Sequence, residues 1–310
     1  MNLKITDVRV DAGDSAFLID DGETSILYDS GFAFTGFGVA EKIKNELNGR
    51  ELNYIFLTHS HYDHALGSVY ALKYWPKATV VASEYAAKIF EKDTAKAVMR
   101  DLDKKYALKC GINEYEDLID DLKVDIKVND GDIVKAGILE FICLSLPGHT
   151  KCSFGFYAPQ EKLLLSCETI GVFDGKNTVV PSYLVGTEMA FNSINKVKEL
   201  DIENILLPHF GLLNKEQTKI YLAEAEKSAK ETFNEISSIL KSGKSKEEAV
   251  KFFLNKFYKD EVKKIYPKDA IELNTNIMVN LIEREILNWG LIWEIINKNL
   301  KNVFLLLKIF

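Results

Sequence analysis

Over the first third of the chain, short apolar runs alternate with clusters of turn residues. Segments 3–8, 15–19 and 25–28 read as strands, separated by Asp-Ala-Gly-Asp and Asp-Asp-Gly-Glu turns. Residues 36–48 place apolar positions at helical spacing, and 53–57 is a short β-rich run. Helix returns over 63–74, followed by a strand at 79–82. Residues 84–123 are mostly charged, with apolar positions at helical intervals, and read as an inserted helical segment. Strands follow at 124–128, 133–135, 138–145, 153–157 and 162–166, and 203–207 reads as the last. From Lys215 onward the pattern is purely helical: 215–240, 245–259 after a break at Ser242-Gly243, and 269–287 after Pro267. The pattern predicts a mixed α/β domain over residues 1–213 and an α-helical extension over 214–310.

Composition narrows the function. Of 310 residues, 47% are hydrophobic and 27% charged, as in an ordinary globular protein, and the formal charge of −7 disfavours nucleic-acid binding through a broad basic face. The first twenty residues hold no basic stretch followed by an apolar run, so no signal peptide is expected. Four cysteines stand far apart with no Cys-x-x-Cys pair, which fits a reducing cytoplasm. The apolar segment 291–310 is interrupted by Glu294, Lys298, Lys301 and Lys308, and is expected to pack as an amphipathic helix rather than enter a membrane.

The chemistry concentrates in three loops. Thr58-His59-Ser60-His61-Tyr62-Asp63-His64 offers four potential metal ligands within six residues. If a strand ends near Thr58, His59 and His61 point the same way. A helix starting there puts Asp63 and His64 in its first turn, facing back over the strand end. His149 follows Pro147-Gly148, and His209 sits between Pro208 and Phe210-Gly211, each in a sharp loop after a strand. A single histidine near a turn is ordinarily a surface or core residue. Here the chain has five, and all five fall in these loops. Imidazole with carboxylate suits zinc, iron or manganese.

These residues resemble the metallo-β-lactamase superfamily, whose signature is His-x-His-x-Asp-His followed by a distant His, an acidic bridge and a final His. The resemblance spans about residues 3–213 and implies a four-layer α-β-β-α sandwich with the site at one edge of its sheets. It implies that His59, His61 and His149 hold one metal ion, and Asp63, His64 and His209 a second. Asp29, in Tyr28-Asp29-Ser30-Gly31, would orient the histidine loop from behind. Where the family reads Ser-Gly-Asp at the bridge, this chain has Ser166-Cys167-Glu168. Glu168 is then the expected bridging ligand, with about 1.5 Å of extra reach, and Cys167 the second choice. The flavodiiron branch carries Glu where His61 stands and adds a flavodoxin-like domain, so its redox chemistry is disfavoured. The set looks more like that of glyoxalase II, lactonases, tRNA-processing nucleases and the quinolone-signal thioesterase. The first and last of these also carry helical C-terminal additions.

The resemblance implies a metal-dependent hydrolase. Two divalent ions, zinc or iron with manganese as a further choice, would lower the pKa of a shared water. The resulting hydroxide would attack a thioester, ester or lactone carbonyl of a small molecule, with Asp63 or Glu168 accepting a proton. A phosphodiesterase or nuclease, and a signalling protein that keeps the metal fold with little turnover, are the alternatives. Tyr62, Phe173, Tyr183 and Phe210 are candidate pocket aromatics. The extension is expected to cover the active-site edge, and its apolar stripes to support a homodimer.

Overall fold

The computed structural model describes residues 3–306, with side chains described through Leu287. One sheet takes its strands in chain order: β1 (Lys4–Asp7), β2 (Phe17–Asp20), β3 (Ser25–Tyr28), β4 (Tyr54–Phe56), β5 (Thr79–Ser83) and β6 (Ile126–Val128). The first three pair antiparallel, and β3 to β6 run parallel. The chain continues through β7 (Ile133–Ala136), β8 (Leu139–Ser145), β9 (Phe154–Ala158) and β10 (Leu163–Leu165). A small hairpin of β11 (Val172–Phe173) and β12 (Val179–Val180) follows, then β13 (Asn204–Leu207) and β14 (Gly211–Leu213). The second sheet has the order β14-β13-β10-β9-β8-β7.

The side-chain period of two along each strand builds the layers. Phe17, Ile19, Ile26, Tyr28, Phe56 and Val81 point inward from the first sheet and meet Phe141, Cys143, Phe156, Leu163, Leu165 and Leu206 of the second. Their alternates face outward. Leu18, Leu27, Ile55 and Val80 pack under α1 (Gly36–Leu47), α2 (Tyr62–Ala65), α3 (Ser68–Tyr74) and α4 (Glu84–Phe90), with Met99 of α5 (Asp93–Lys109) in the same cluster. Leu144, Tyr157, Leu164 and Ile205 pack under α6 (Thr187–Lys198) and α7 (Lys215–Lys241), then α8 (Lys246–Phe257), α9 (Val262–Ile265) and α10 (Lys268–Leu306). The result is the four-layer α-β-β-α sandwich with helices at its C-terminal end.

Local chemistry sets the helix starts. Asn214 and Ser245 each form a reciprocal cap with Gln217 and Glu248, which opens α7 and α8. Those helices share one apolar core with the outer face of the second sheet: Tyr221, Ile236, Phe253 and Val279 are buried with Leu207 and Tyr183.

Two features differ from the pattern reading. β14 follows 203–207, so that run is not the last strand; three residues with a central exposed Leu212 are too short to show alternation. The β11–β12 hairpin and α6 occupy a stretch where the pattern gave no element. The final helix runs on past 287 to Leu306, into the segment expected to be helical. The expected apolar clusters beyond Leu287, and their role in a dimer, fall where the side chains are not described. Among the described residues no helix is long and apolar enough to cross a membrane.

Candidate metal centre

Five strand ends meet at one edge of the sandwich. The chain leaves β3 at Asp29, β4 into Thr58–His64, β8 towards His149, β10 towards Glu168 and β13 at His209. Asp29 takes a left-handed backbone conformation at φ +50°, which turns its carboxylate back over the neighbouring loop. There it accepts hydrogen bonds from Thr58 N (2.9 Å), Thr58 Oγ1 (3.0 Å), Ser15 Oγ (2.9 Å) and His64 Nδ1 (2.7 Å). His61 caps the single turn of α2 in extended conformation, so Asp63 and His64 fall in its first turn. Gly148, at φ +148°, passes so close to α6 that a Cβ would stand 2.8 Å from Ala190, which explains the glycine before His149.

Each buried histidine has its Nδ1 engaged from behind. His59 meets Thr58 Oγ1 at 2.9 Å, His149 the Ser182 carbonyl at 3.0 Å, and His209 the Asp14 carbonyl at 3.1 Å. Arg9 donates to the His209 carbonyl and steadies that turn. The Nε2 atoms of His59, His64 and His209 are buried without a hydrogen-bond partner. Orphaned buried nitrogens are unfavourable unless something satisfies them. A cation does so, and carboxylate- or carbonyl-backed imidazoles are the usual form of a metal-ligating histidine. Ligand atoms of His59, His61, His149 and Glu168 lie within 4.8 Å of one another, and so do those of Asp63, His64 and His209. The residues fit metal ions.

Glu168 stands between the two groups. Its Oε2 is 2.8 Å from His149 Nε2, 3.5 Å from His59 Nε2 and 3.4 Å from His64 Nε2, while Oε1 is 3.5 Å from His209 Nε2. The longer side chain thus brings its carboxylate within 3.5 Å of histidines from both groups. Cys167, the second choice, turns its sulfur into the core near the Leu146 carbonyl, and burial pushes its thiol up to about 12.

Burial and neighbouring charges shift the groups of this floor in opposite directions. Burial lowers His59, and lowers His61 to about 3, which keeps their imidazoles neutral and their lone pairs available. Burial alone would raise Glu168, yet His149, His209 and His64 hold its carboxyl well below the usual range. Burial would likewise lower His64, but Asp29 and Asp63 hold it well above the usual imidazole range. Burial raises Asp63, which lies on the wall of the opening.

Above this floor lies a cavity of about 250 Å³. Phe32, Tyr62 and Tyr106 form one wall, with ring centroids of Phe32 and Tyr106 4.9 Å apart. Tyr266, Leu273 and Ile277, from the segment that opens and runs along α10, form the roof. Of the four candidate aromatics only Tyr62 lines this cavity. Phe173 and Tyr183 are buried in the core, and Phe210 meets Phe173 edge-to-face with ring centroids 4.9 Å apart. Tyr266 is the functional neighbour that sequence reasoning missed: its hydroxyl donates to Glu168 Oε1. Its only sequence signal is its place before Pro267, at the entry to a helix.

The α-β-β-α sandwich carries, at one sheet edge, a His/Asp/Glu cluster able to hold metal ions. The sequence profile of the Metallo-beta-lactamase superfamily matches residues 11–209, and the chain belongs to that superfamily. Among solved structures it is similar to a beta-lactamase domain protein from Burkholderia ambifaria, with a TM-score of 0.59 at 13% identity over 89% of this chain and 82% of that one. It is similar also to a metallo-beta-lactamase family protein from Thermus thermophilus, at TM-score 0.57 and 17% identity over 86% and 87%. A third is the chemotaxis sensor ODP in a peroxy diiron state, at TM-score 0.52 and 18% identity over 72% and 90%. No curated protein matches the chain by sequence.

Proposed function

We propose that this protein is a metal-dependent hydrolase with two divalent ions, acting on the thioester, ester or lactone carbonyl of a small, largely apolar molecule. One observation carries the reading: two ligand groups lie side by side, with Glu168 facing both, beneath a cavity with largely apolar walls. His59, His61, His149 and Glu168 would hold one ion, and Asp63, His64 and His209, with Glu168, the other. Zinc, iron and manganese all suit such donors. Two bound ions would supply Lewis acidity and a nucleophilic water at neutral pH.

The chain's own residues do the rest. Phe32, Tyr62 and Tyr106 exclude bulk water from the floor, which strengthens charge interactions there. Asp63, on the wall of the cavity, accepts a proton at the floor and returns it to the leaving group. The cations among the described lining residues are Lys105 and Lys109, each paired with a carboxylate, Asp101 and Asp269. That pairing favours an acyl compound over a phosphodiester backbone.

Elemental analysis of the protein as purified, followed by a panel of thioesters, lactones and phosphodiesters, tests the reading. Bound metal with turnover on an acyl substrate supports it; metal-free protein that gains nothing from added ions contradicts it. A sensor is the second reading, supported by the likeness to ODP and by a cavity roof built from α10, where an occupant would be felt. Negligible turnover on every ester, with a tightly held small molecule in the purified protein, would favour it.

A further inference from the structure

The helical region contributes a residue to the metal centre itself. Tyr266 lies between α9 and α10, and its hydroxyl donates to Glu168 Oε1. Its ring centroid stands 5.8 Å from that of His209. The aim of this side chain is fixed from several directions. Pro267 confines the preceding residue to extended backbone, and Tyr266 sits at φ −108° and ψ 121°. Its amide closes α9 by donating to the Val262 carbonyl at 2.9 Å, its carbonyl accepts from Tyr258, and its ring packs on the core shared with α8 and α10.

We infer that Tyr266 is a positioning residue for Glu168, whose phenol holds Oε1 so that Oε2 is turned towards His59, His64 and His149. The need for such a residue follows from the side chain at 168. Aspartate has one torsion fewer between backbone and carboxylate; glutamate gains reach but also a rotation that must be fixed. The chain meets that requirement with a hydrogen bond from outside the sandwich. Glu168 accepts from no other hydroxyl among the described residues, its remaining close contacts being the histidines. Occupancy of the centre and seating of the helical region are thereby coupled through one bond.

The inference rests on the metal reading but not on hydrolysis, so its test is a binding experiment. Stripped, desalted full-length protein is titrated with cobalt(II) in four forms: wild type, Tyr266→Phe, Glu168→Asp and the double variant. Tyr266→Phe keeps the ring in the core, and its melting temperature without metal checks that it folds. In the Glu168 chain, loss of the hydroxyl weakens the more loosely held cobalt by about 10-fold, in line with residues that orient metal ligands, and shifts the cobalt absorption bands. In the Glu168→Asp chain the shorter carboxylate no longer meets the phenol, and the same change alters affinity by less than about twofold. Equal losses in both backgrounds, or none in either, overturn the inference. A wild-type chain that takes up no cobalt overturns it together with the metal reading, whereas cobalt binding without turnover on any ester overturns only the hydrolase.

Discussion

Asp29→Asn isolates what the buried carboxylate behind the centre contributes. Asparagine tolerates the left-handed backbone at this position better than most residues, so the substitution removes charge without adding strain. One amide oxygen still accepts from Thr58 N and Oγ1. The amide nitrogen then faces His64 Nδ1 and Ser15 Oγ, which donate to a carboxylate oxygen at 2.7 and 2.9 Å in the wild type. A charge-assisted hydrogen bond of this kind contributes about 1.5–3 kcal/mol, and losing it should destabilise the metal-free protein by about that amount. It also frees the ring of His64, whose Nε2 then no longer points reliably at the centre. Residues that orient ligands change metal affinity about 10- to 100-fold, or roughly 1.4–2.8 kcal/mol. Zinc competition against a chromophoric chelator measures the affinity, and thermal denaturation in excess chelator measures the fold. A variant with wild-type zinc affinity would refute the role given to Asp29, whatever its melting temperature.

Other substitutions probe separate links. Glu168→Asp should keep both ions while Glu168→Ala weakens their binding, read by metal content after desalting; equal content and turnover in the alanine variant would remove Glu168 from the ligand set. Phe253→Ala, in α8 at 2% exposure, should lower stability by about 3–5 kcal/mol in denaturant unfolding, because it opens a cavity under α10. Asp103, buried in α5, accepts from Ala33 N and Tyr115, and burial raises its carboxyl to about 6. The folded chain therefore holds this proton above pH 3.8 while the unfolded chain releases it, so this group's contribution to stability falls as pH rises from about 4 to 6, by about 3 kcal/mol. Asp103→Asn should gain on the wild type by about that amount between about pH 4 and pH 7, and a constant difference across that range would contradict the assignment.

Much of this architecture is legible because the strands are buried on both faces and read as near-continuous apolar runs, as at Phe17–Asp20 and Leu163–Leu165. The loop from His59 to His64 is legible for a different reason: donors packed this densely in sequence have few other uses. Helix α6 carries Ala190, Ile194 and Val197 at helical spacing, but Gly186 gives it no side-chain cap and its start is unmarked. Tyr266 is illegible in principle. It meets Glu168 across 98 positions, and only the packing of α8 and α10 on the second sheet brings them together. Ser15 and Ser182 are likewise ordinary loop serines until the fold sets Ser15 against Asp29 and Ser182 behind His149.

The central claim is that two adjacent ligand groups hold two ions. Elemental analysis after zinc reconstitution and exhaustive desalting tests it directly, with wild type and His209→Ala side by side. His209 belongs to only one of the two groups. The account predicts about two ions per wild-type chain and about one in the variant. One ion or none in the wild type, or a variant that still holds both, would contradict it.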